Sequence, residues 1–97
     1  MRAATTRTQI PRAAPRRKVF HPATLETADG RQRAHLLNLS AVGACLHVQA
    51  GVRIWSAVVI QAAGQTVAAR VTWADGQRCG VKFVTPLDAA TLAAMTA

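Results

Sequence analysis

Three tight-turn sequences, at residues 29–30, 63–64 and 75–76, divide the chain into short segments rich in valine and other apolar residues. Asp29-Gly30 and Asp75-Gly76 supply the positive φ angles that a tight hairpin turn requires. Repeated hairpins between short strands favour an antiparallel barrel or sandwich over a parallel α/β plan. We therefore predict an all-β fold of six short strands, at about 24–26, 33–37, 43–48, 54–61, 66–73 and 78–84.

Alternation of apolar residues within the strands predicts which side chains face the interior. The residues expected inside are Ala44, Leu46 and Val48; Val67, Ala69, Val71 and Trp73; and Cys79, Val81 and Phe83. The opposite phase turns Cys45 outward, so we expect no disulfide between Cys45 and Cys79, as is typical of a reducing compartment. We expect Trp55 and Trp73 to be core or barrel-end residues, and His35 and His47 to be exposed.

The last strand is followed by a sequence that is typical of a helix start. Thr85 supplies an N-cap hydroxyl, Pro86 stands at the first helical position, and Asp88 follows three residues after the cap. The alanine-rich sequence beyond it places four residues near one helical face: Leu87, Thr91, Leu92 and Met95. We predict a short C-terminal α-helix that packs against the sheet.

Charge is distributed unevenly along this chain of 97 residues, a length that corresponds to one domain. The net charge is +8, and residues 1–18 contain six basic residues and no acid. Two prolines and the lack of an apolar period predict a flexible basic arm over 1–15, disordered without ligand, ahead of a folded domain over 16–97. Such an arm attracts anions, phosphodiesters included.

The residues that catalysis would require are dispersed. The four acids stand far apart, and two of them lie in hairpin turns: Glu26, Asp29, Asp75 and Asp88. The cysteines and histidines show no metal-binding spacing. We therefore expect no enzyme activity, no catalytic residue, no metal and no cofactor. No apolar segment is long enough for a membrane span or a secretion signal, so we expect a cytoplasmic protein.

The segment 38–43, Asn-Leu-Ser-Ala-Val-Gly, connects the second and third predicted strands. Asn and Ser bond their own backbone in turns, and Gly supplies positive φ, so an ordinary turn explains these residues locally. Three further features stand around it, namely the basic cluster at 16–18, Val-Thr-Trp at 71–73 and Gly-Val-Lys-Phe at 80–83. In this order and spacing they make the chain, over about residues 16–95, resemble the PilZ domain, a bacterial receptor module for the second messenger cyclic di-GMP.

The resemblance implies a fold and a set of ligand motifs. PilZ domains are six-stranded antiparallel β-barrels with a C-terminal helix, which agrees with the elements predicted above. Their ligand motifs are RxxxR, just before the first strand, and (D/N)xSxxG, after the second. Asn38, Ser40 and Gly43 match the second motif in full. For the first we prefer the register Arg17/His21, with a histidine in place of the second arginine, because the literal RxxxR at Arg12/Arg16 lies several residues ahead of the predicted strand.

The chemistry of these residues suits cyclic di-GMP, which has two phosphates and two guanines. The guanidinium groups of Arg16 and Arg17 can pair with phosphate oxygens or a guanine edge, and can stack on a base. Asn38 can accept a hydrogen bond from guanine, Ser40 can donate to a phosphate, and Gly43 lets the backbone approach closely. The expected ligand-binding residues are Arg16, Arg17, His21, Asn38, Ser40 and Gly43.

The expected function is binding of cyclic di-GMP and its relay to a separate effector protein, without membrane insertion. Two other functions stay open. The chain can be a degenerate PilZ domain that acts as a ligand-free protein-interaction module. It can also be a small basic barrel that binds single-stranded nucleic acid. That function accounts for the charge, but the chain has only four aromatic residues on which bases could stack.

Overall fold

Six antiparallel strands close into a barrel in the order β1-β2-β3-β6-β5-β4, which confirms the predicted fold class. The computed structural model describes residues 16–96, so the arm predicted over 1–15, with its predicted disorder, lies outside the described residues. The elements are β1 (Arg17–Thr27), β2 (Gly30–Leu39), β3 (Gly43–Val48), β4 (Ala57–Ala62), β5 (Gln65–Asp75), β6 (Arg78–Phe83) and the helix α1 (Ala89–Thr96).

Apolar side chains from every strand fill the barrel interior. Fully buried examples are Leu25, Leu36, Leu46, Ile60 and Val71. Burial of one such side chain contributes roughly 1.5–3 kcal/mol, so this interior is the main source of stability. The interior residues predicted on β3 and β6 are all buried, and so are those on β5 up to Val71.

Several predicted strand ends are wrong. β1 begins at Arg17 rather than near Thr24, because β2 continues to Leu39 and pairs with Arg17. β4 begins at Ala57 rather than at residue 54, because Trp55 has a φ of 71° and leaves the extended conformation. The barrel wall therefore starts directly after Arg16.

The helix begins later than predicted. Its cap is Asp88, whose Oδ1 accepts a hydrogen bond of 2.7 Å from the backbone N–H of Thr91, and this bond lowers the pKa of the carboxyl group. Thr85 is not the cap, because the Leu87 N–H donates to the Ala41 carbonyl and holds the chain against the β2–β3 connection. The apolar face is as predicted: Met95 is buried, and Leu87 and Leu92 pack against the core at one end of the barrel.

Register shifts interrupt three of the strand pairs. They lie between Lys18 and His21 in the β1–β2 pair, between Leu36 and Asn38 in the β2–β3 pair, and between Val71 and Trp73 in the β5–β6 pair. An extra residue in one strand turns the side chains beyond it to the opposite face. Asn38 and Trp73 therefore face outward, although Leu36 and Val71 face the core.

The prediction that Trp73 and Trp55 are core or barrel-end residues is wrong as regards the core. Trp73 is 41% exposed because the extra residue Thr72 reverses the strand's phase. Trp55 is 61% exposed in the turn before β4. Neither indole is part of the buried cluster.

The cysteines and strand histidines lie where the alternation predicts. Cys45 pairs with Gly80 on the outer side and Cys79 pairs with Leu46 on the inner side, and both thiols are free. Burial raises the pKa of Cys79 to about 11, and the nearby Cys45 adds to the rise. His35 and His47 face each other on the outer surface, but both are half-buried rather than exposed.

Candidate functional site

The register shifts align one outward-facing residue from each of five neighbouring strands. Lys18 lies opposite Asn38, Asn38 opposite Cys45, Cys45 opposite Gly80, and Gly80 opposite Trp73. We call these five residues the outer row. Because neighbouring strands are about 4.8 Å apart, the row extends for roughly 19 Å around the barrel surface.

Trp73 and Gly80 form one end of the outer row. A Cβ atom at position 80 would overlap the indole nitrogen of Trp73, so the ring rests directly on the glycine backbone. The exposed part of the ring is turned toward solvent. A flat aromatic surface held on one side by backbone is suited to stacking on a nucleobase.

Asn38 and Arg16 form a polar contact toward the other end. The Nη1 of Arg16 donates a hydrogen bond of 2.7 Å to Oδ1 of Asn38. This bond uses one of the five N–H groups of the guanidinium, and the Asn38 amide nitrogen keeps its two donors. Lys18 lies across from Asn38, so two cations stand beside the same amide.

Ser40 and Gly43 shape the connection that follows β2. The buried Ser40 hydroxyl accepts hydrogen bonds of 3.2 Å from the backbone N–H groups of Val42 and Gly43. A Cβ atom at Gly43 would overlap the carbonyl oxygen of Val81, so glycine is required where β3 meets β6. Both residues thus fix the loop that ends the strand carrying Asn38.

Arg17 and His21 face the inner side of the barrel wall. They lie opposite Leu39 and Leu36, which are fully buried, and directly opposed residues project to the same face of an antiparallel pair. Arg17 is exposed at the end of β1 that lies beside the β2–β3 connection, while His21 is half-buried. Of the six expected ligand-binding residues, the structure joins Arg16 to Asn38, gives Ser40 and Gly43 a loop role, and turns Arg17 and His21 to the inner side of the wall.

Sequence reasoning missed the packing of Trp73 on Gly80. The signal was available: a two-residue turn at 76–77 pairs Asp75 with Arg78 and, counting outward, Trp73 with Gly80. Gly80 faces outward because Cys79 and Val81 face inward. Trp73 cannot both pair with Gly80 and share a face with Val71, and this conflict indicates the extra residue at Thr72.

Two of the four acids have partners among residues 16–96. Glu26 forms an ion pair with Arg31 at 2.6 Å, and Asp88 caps the helix. Within the described residues, no group of three or more potential ligands could hold a metal ion. Nor does the part of the chain that the structure describes contain a helix long and apolar enough to cross a membrane.

A family model described as the PilZ domain matches residues 10–97, which is nearly the whole chain and begins before Arg12. No curated protein matches the chain.

Proposed function

The chain belongs to the PilZ domain family, a family of cyclic di-GMP-binding modules, and on that premise we propose that it binds cyclic di-GMP along the outer row. The observation that carries the proposal is the alignment of Arg16, Asn38 and Trp73 on one face by the register shifts. A dinucleotide needs a cation for phosphate, a polar group for a guanine edge and a flat surface for a base. The outer row and Arg16 supply all three.

Arg16 is the cation proposed to contact phosphate. Its guanidinium is held beside the outer row by Asn38, and a guanidinium pairs bidentately with phosphate oxygens. Because β1 starts at Arg17, Arg16 immediately precedes the first strand, as the second arginine of RxxxR should. This favours the register Arg12/Arg16 over Arg17/His21.

Asn38 is proposed to read a guanine edge. Its oxygen can accept from a guanine N–H once Arg16 turns toward phosphate, so one ligand can replace the contact between the two side chains. Trp73 is proposed to stack on a base, an interaction worth about 1–3 kcal/mol. Ser40 and Gly43 support both by fixing the loop after β2.

A second function is favoured by one observation. The Ser40 hydroxyl is buried and bonded within its own loop, so it offers less to a phosphate than the family motif implies. A chain with fewer ligand contacts fits the ligand-free protein-interaction module. In either case the proposed role is binding rather than catalysis, with a separate effector protein as the partner.

Isothermal titration with cyclic di-GMP tests the proposal. Arg16→Ala should weaken binding by roughly 10- to 150-fold, because a charge-assisted hydrogen bond is worth about 1.5–3 kcal/mol. Arg33→Ala, at an exposed arginine on β2, is the matched control and should leave the affinity unchanged.

His21→Arg decides between the two arginine registers. We expect no tighter binding from it, because position 21 faces away from the outer row. Tighter binding in His21→Arg together with no loss in Arg16→Ala would restore the Arg17/His21 register. No heat with wild type at millimolar ligand would replace the receptor function by the ligand-free module.

A further inference from the structure

The turn before β4 exposes two large apolar side chains, Ile54 and Trp55. The Trp55 backbone has a φ of 71°, in the left-handed region that bulky residues rarely adopt. The barrel core does not include this indole, so packing in the core does not explain why a strained position carries the largest side chain. Strain of this kind is retained where the surrounding structure holds a residue for another purpose.

Hydrogen bonds on both sides fix the turn in place. The Trp55 N–H donates to the Val71 carbonyl at 2.7 Å, and the Val71 N–H donates to the Ser56 carbonyl at 3.0 Å. The Ser56 hydroxyl donates to the Arg53 carbonyl at 2.6 Å. The indole is thus presented from an ordered backbone, so this turn loses little backbone conformational entropy when a partner binds.

Two arginines flank the exposed apolar pair. Arg70 donates through Nη1 to the Trp55 carbonyl, and Arg53 begins the turn. Both arginines are exposed, and among the described residues neither takes part in an ion pair. We call Arg53, Ile54, Trp55 and Arg70 the Trp55 surface.

We propose that the Trp55 surface docks an effector protein that offers an apolar pocket for the indole and acidic residues around its rim. Tryptophan and arginine are the residues that most often dominate the affinity of protein interfaces, and rim charges steer association. A second copy of this chain fits poorly, because its net charge is +8 and a symmetric contact would oppose the same arginines. The proposal goes beyond the nucleotide site and does not depend on it.

The probe is a phage-displayed library of random 16-residue peptides, selected on the full chain without nucleotide. We expect selected peptides that combine large apolar residues with several Asp or Glu. Trp55→Ala should weaken the affinity for the synthesised peptides at least tenfold, and Arg53→Glu should weaken it at least threefold. Phe20→Ala, which removes another exposed aromatic, is the control and should leave their affinity unchanged.

Fluorescence separates this surface from the nucleotide site, because the chain has two tryptophans. In Trp73→Phe the emission reports Trp55 alone, and added peptide should shift it to shorter wavelength as the indole leaves water. In Trp55→Phe the emission reports Trp73, and the same peptide should leave it unchanged. If the wild-type protein binds the peptides but not cyclic di-GMP, the proposed function is overturned and this inference is not.

Three outcomes would overturn the inference. Peptide affinity that survives Trp55→Ala would place docking elsewhere. Binding of a single-stranded DNA 20-mer that Trp55→Ala abolishes would make the surface a nucleic-acid site. Dimerisation that Trp55→Ala abolishes, seen by sedimentation, would make it a self-association site. Trp55→Asn, which tolerates positive φ, should weaken the peptides as Trp55→Ala does and guards against a folding defect.

Discussion

Two parts of the barrel circumference are built differently, and we call them the regular side and the shifted side. The pairs that contain β4 are regular along their length, whereas three of the other four pairs contain a register shift. The regular side exposes mainly small or neutral side chains on β4, such as Ala57, Val59 and Gln61. The shifted side carries the outer row and Arg16. Shifts in register are thus the device that moves polar and aromatic side chains from the core phase to the outer surface.

The largest effect is expected where backbones approach most closely on the shifted side. Gly43→Ala should lower the free energy of unfolding by about 3 kcal/mol, because the new Cβ would overlap the Val81 carbonyl and the two strands must separate. Urea denaturation measures this loss. Gly51→Ala is the control, since its Cβ would lie 3.8 Å from the Gly76 carbonyl, an ordinary contact. Equal stability of the two variants would show that β3 and β6 are not so close.

The next effect tests whether the core on the shifted side excludes water despite the register shifts. Cys79 has a pKa of about 11 in the folded state against 9.0 unperturbed. Between those pH values the thiol is therefore ionised in the unfolded state but not in the folded state. The contribution of the neutral thiol to stability is fully present below pH 9. The free energy of unfolding should fall by roughly 2–3 kcal/mol as pH rises to 11. Urea denaturation at pH 8.5 and pH 11 measures it, with Cys79→Ala as the variant that should lose the thiol's contribution. An equal decline in both proteins would show that water reaches the thiol.

Removal of the indole from the outer row should affect binding more than folding. Trp73→Ala should weaken the binding of cyclic di-GMP by roughly 5- to 150-fold, from a lost stacking interaction of about 1–3 kcal/mol, while stability changes by less than about 1 kcal/mol. Trp55→Ala should leave this affinity unchanged. Titration calorimetry and urea denaturation on both variants measure the contrast. An affinity loss in Trp55→Ala equal to that in Trp73→Ala would remove the distinction between the two surfaces.

The smallest effect concerns the helix. The hydrogen bond from the Thr91 N–H lowers the pKa of Asp88, so its contribution is present above the ordinary carboxyl pKa and lost as pH falls through the lowered value. Helical circular dichroism should therefore decline on acidification. Asp88→Asn keeps a capping side chain that does not titrate, and its signal should depend less on pH. An identical pH dependence in both proteins would assign the decline to other groups.

The sequence predicts the fold and the interior residues of β3 and β6 well, because alternation and hairpin turns are local signals that the barrel preserves. It fails at Trp73, where one extra residue reverses the phase and nothing in β5 alone reveals it. It also misplaces the start of β1, since Arg17 joins the sheet only through its partner Leu39, a contact between distant residues. Because the predicted strand starts too late, Arg12/Arg16 lies several residues ahead of it in the sequence analysis, whereas Arg16 immediately precedes β1 in the structure.

Ser40 and Gly43 show how one motif can have two explanations. Their local turn chemistry is visible in the structure as the hydrogen bonds of Ser40 and the close approach of Gly43 to Val81. The contact between Arg16 and Asn38 could not be predicted, because it depends on the shift at Leu37 and on the side chain of a residue outside the barrel. Contacts that depend on register are thus the ones that sequence patterns miss.

Titration of the ¹⁵N-labelled protein with cyclic di-GMP, followed by amide chemical shifts, tests the outer row most directly. The account predicts that the largest changes fall on the Trp73 indole N–H, the Gly80 amide and the side-chain amide of Asn38, with the Trp55 indole unchanged. No change at millimolar ligand would contradict it. So would changes confined to the cavity of about 270 Å³ at the opposite end of the barrel, between the β1–β2 turn and residues 50–53.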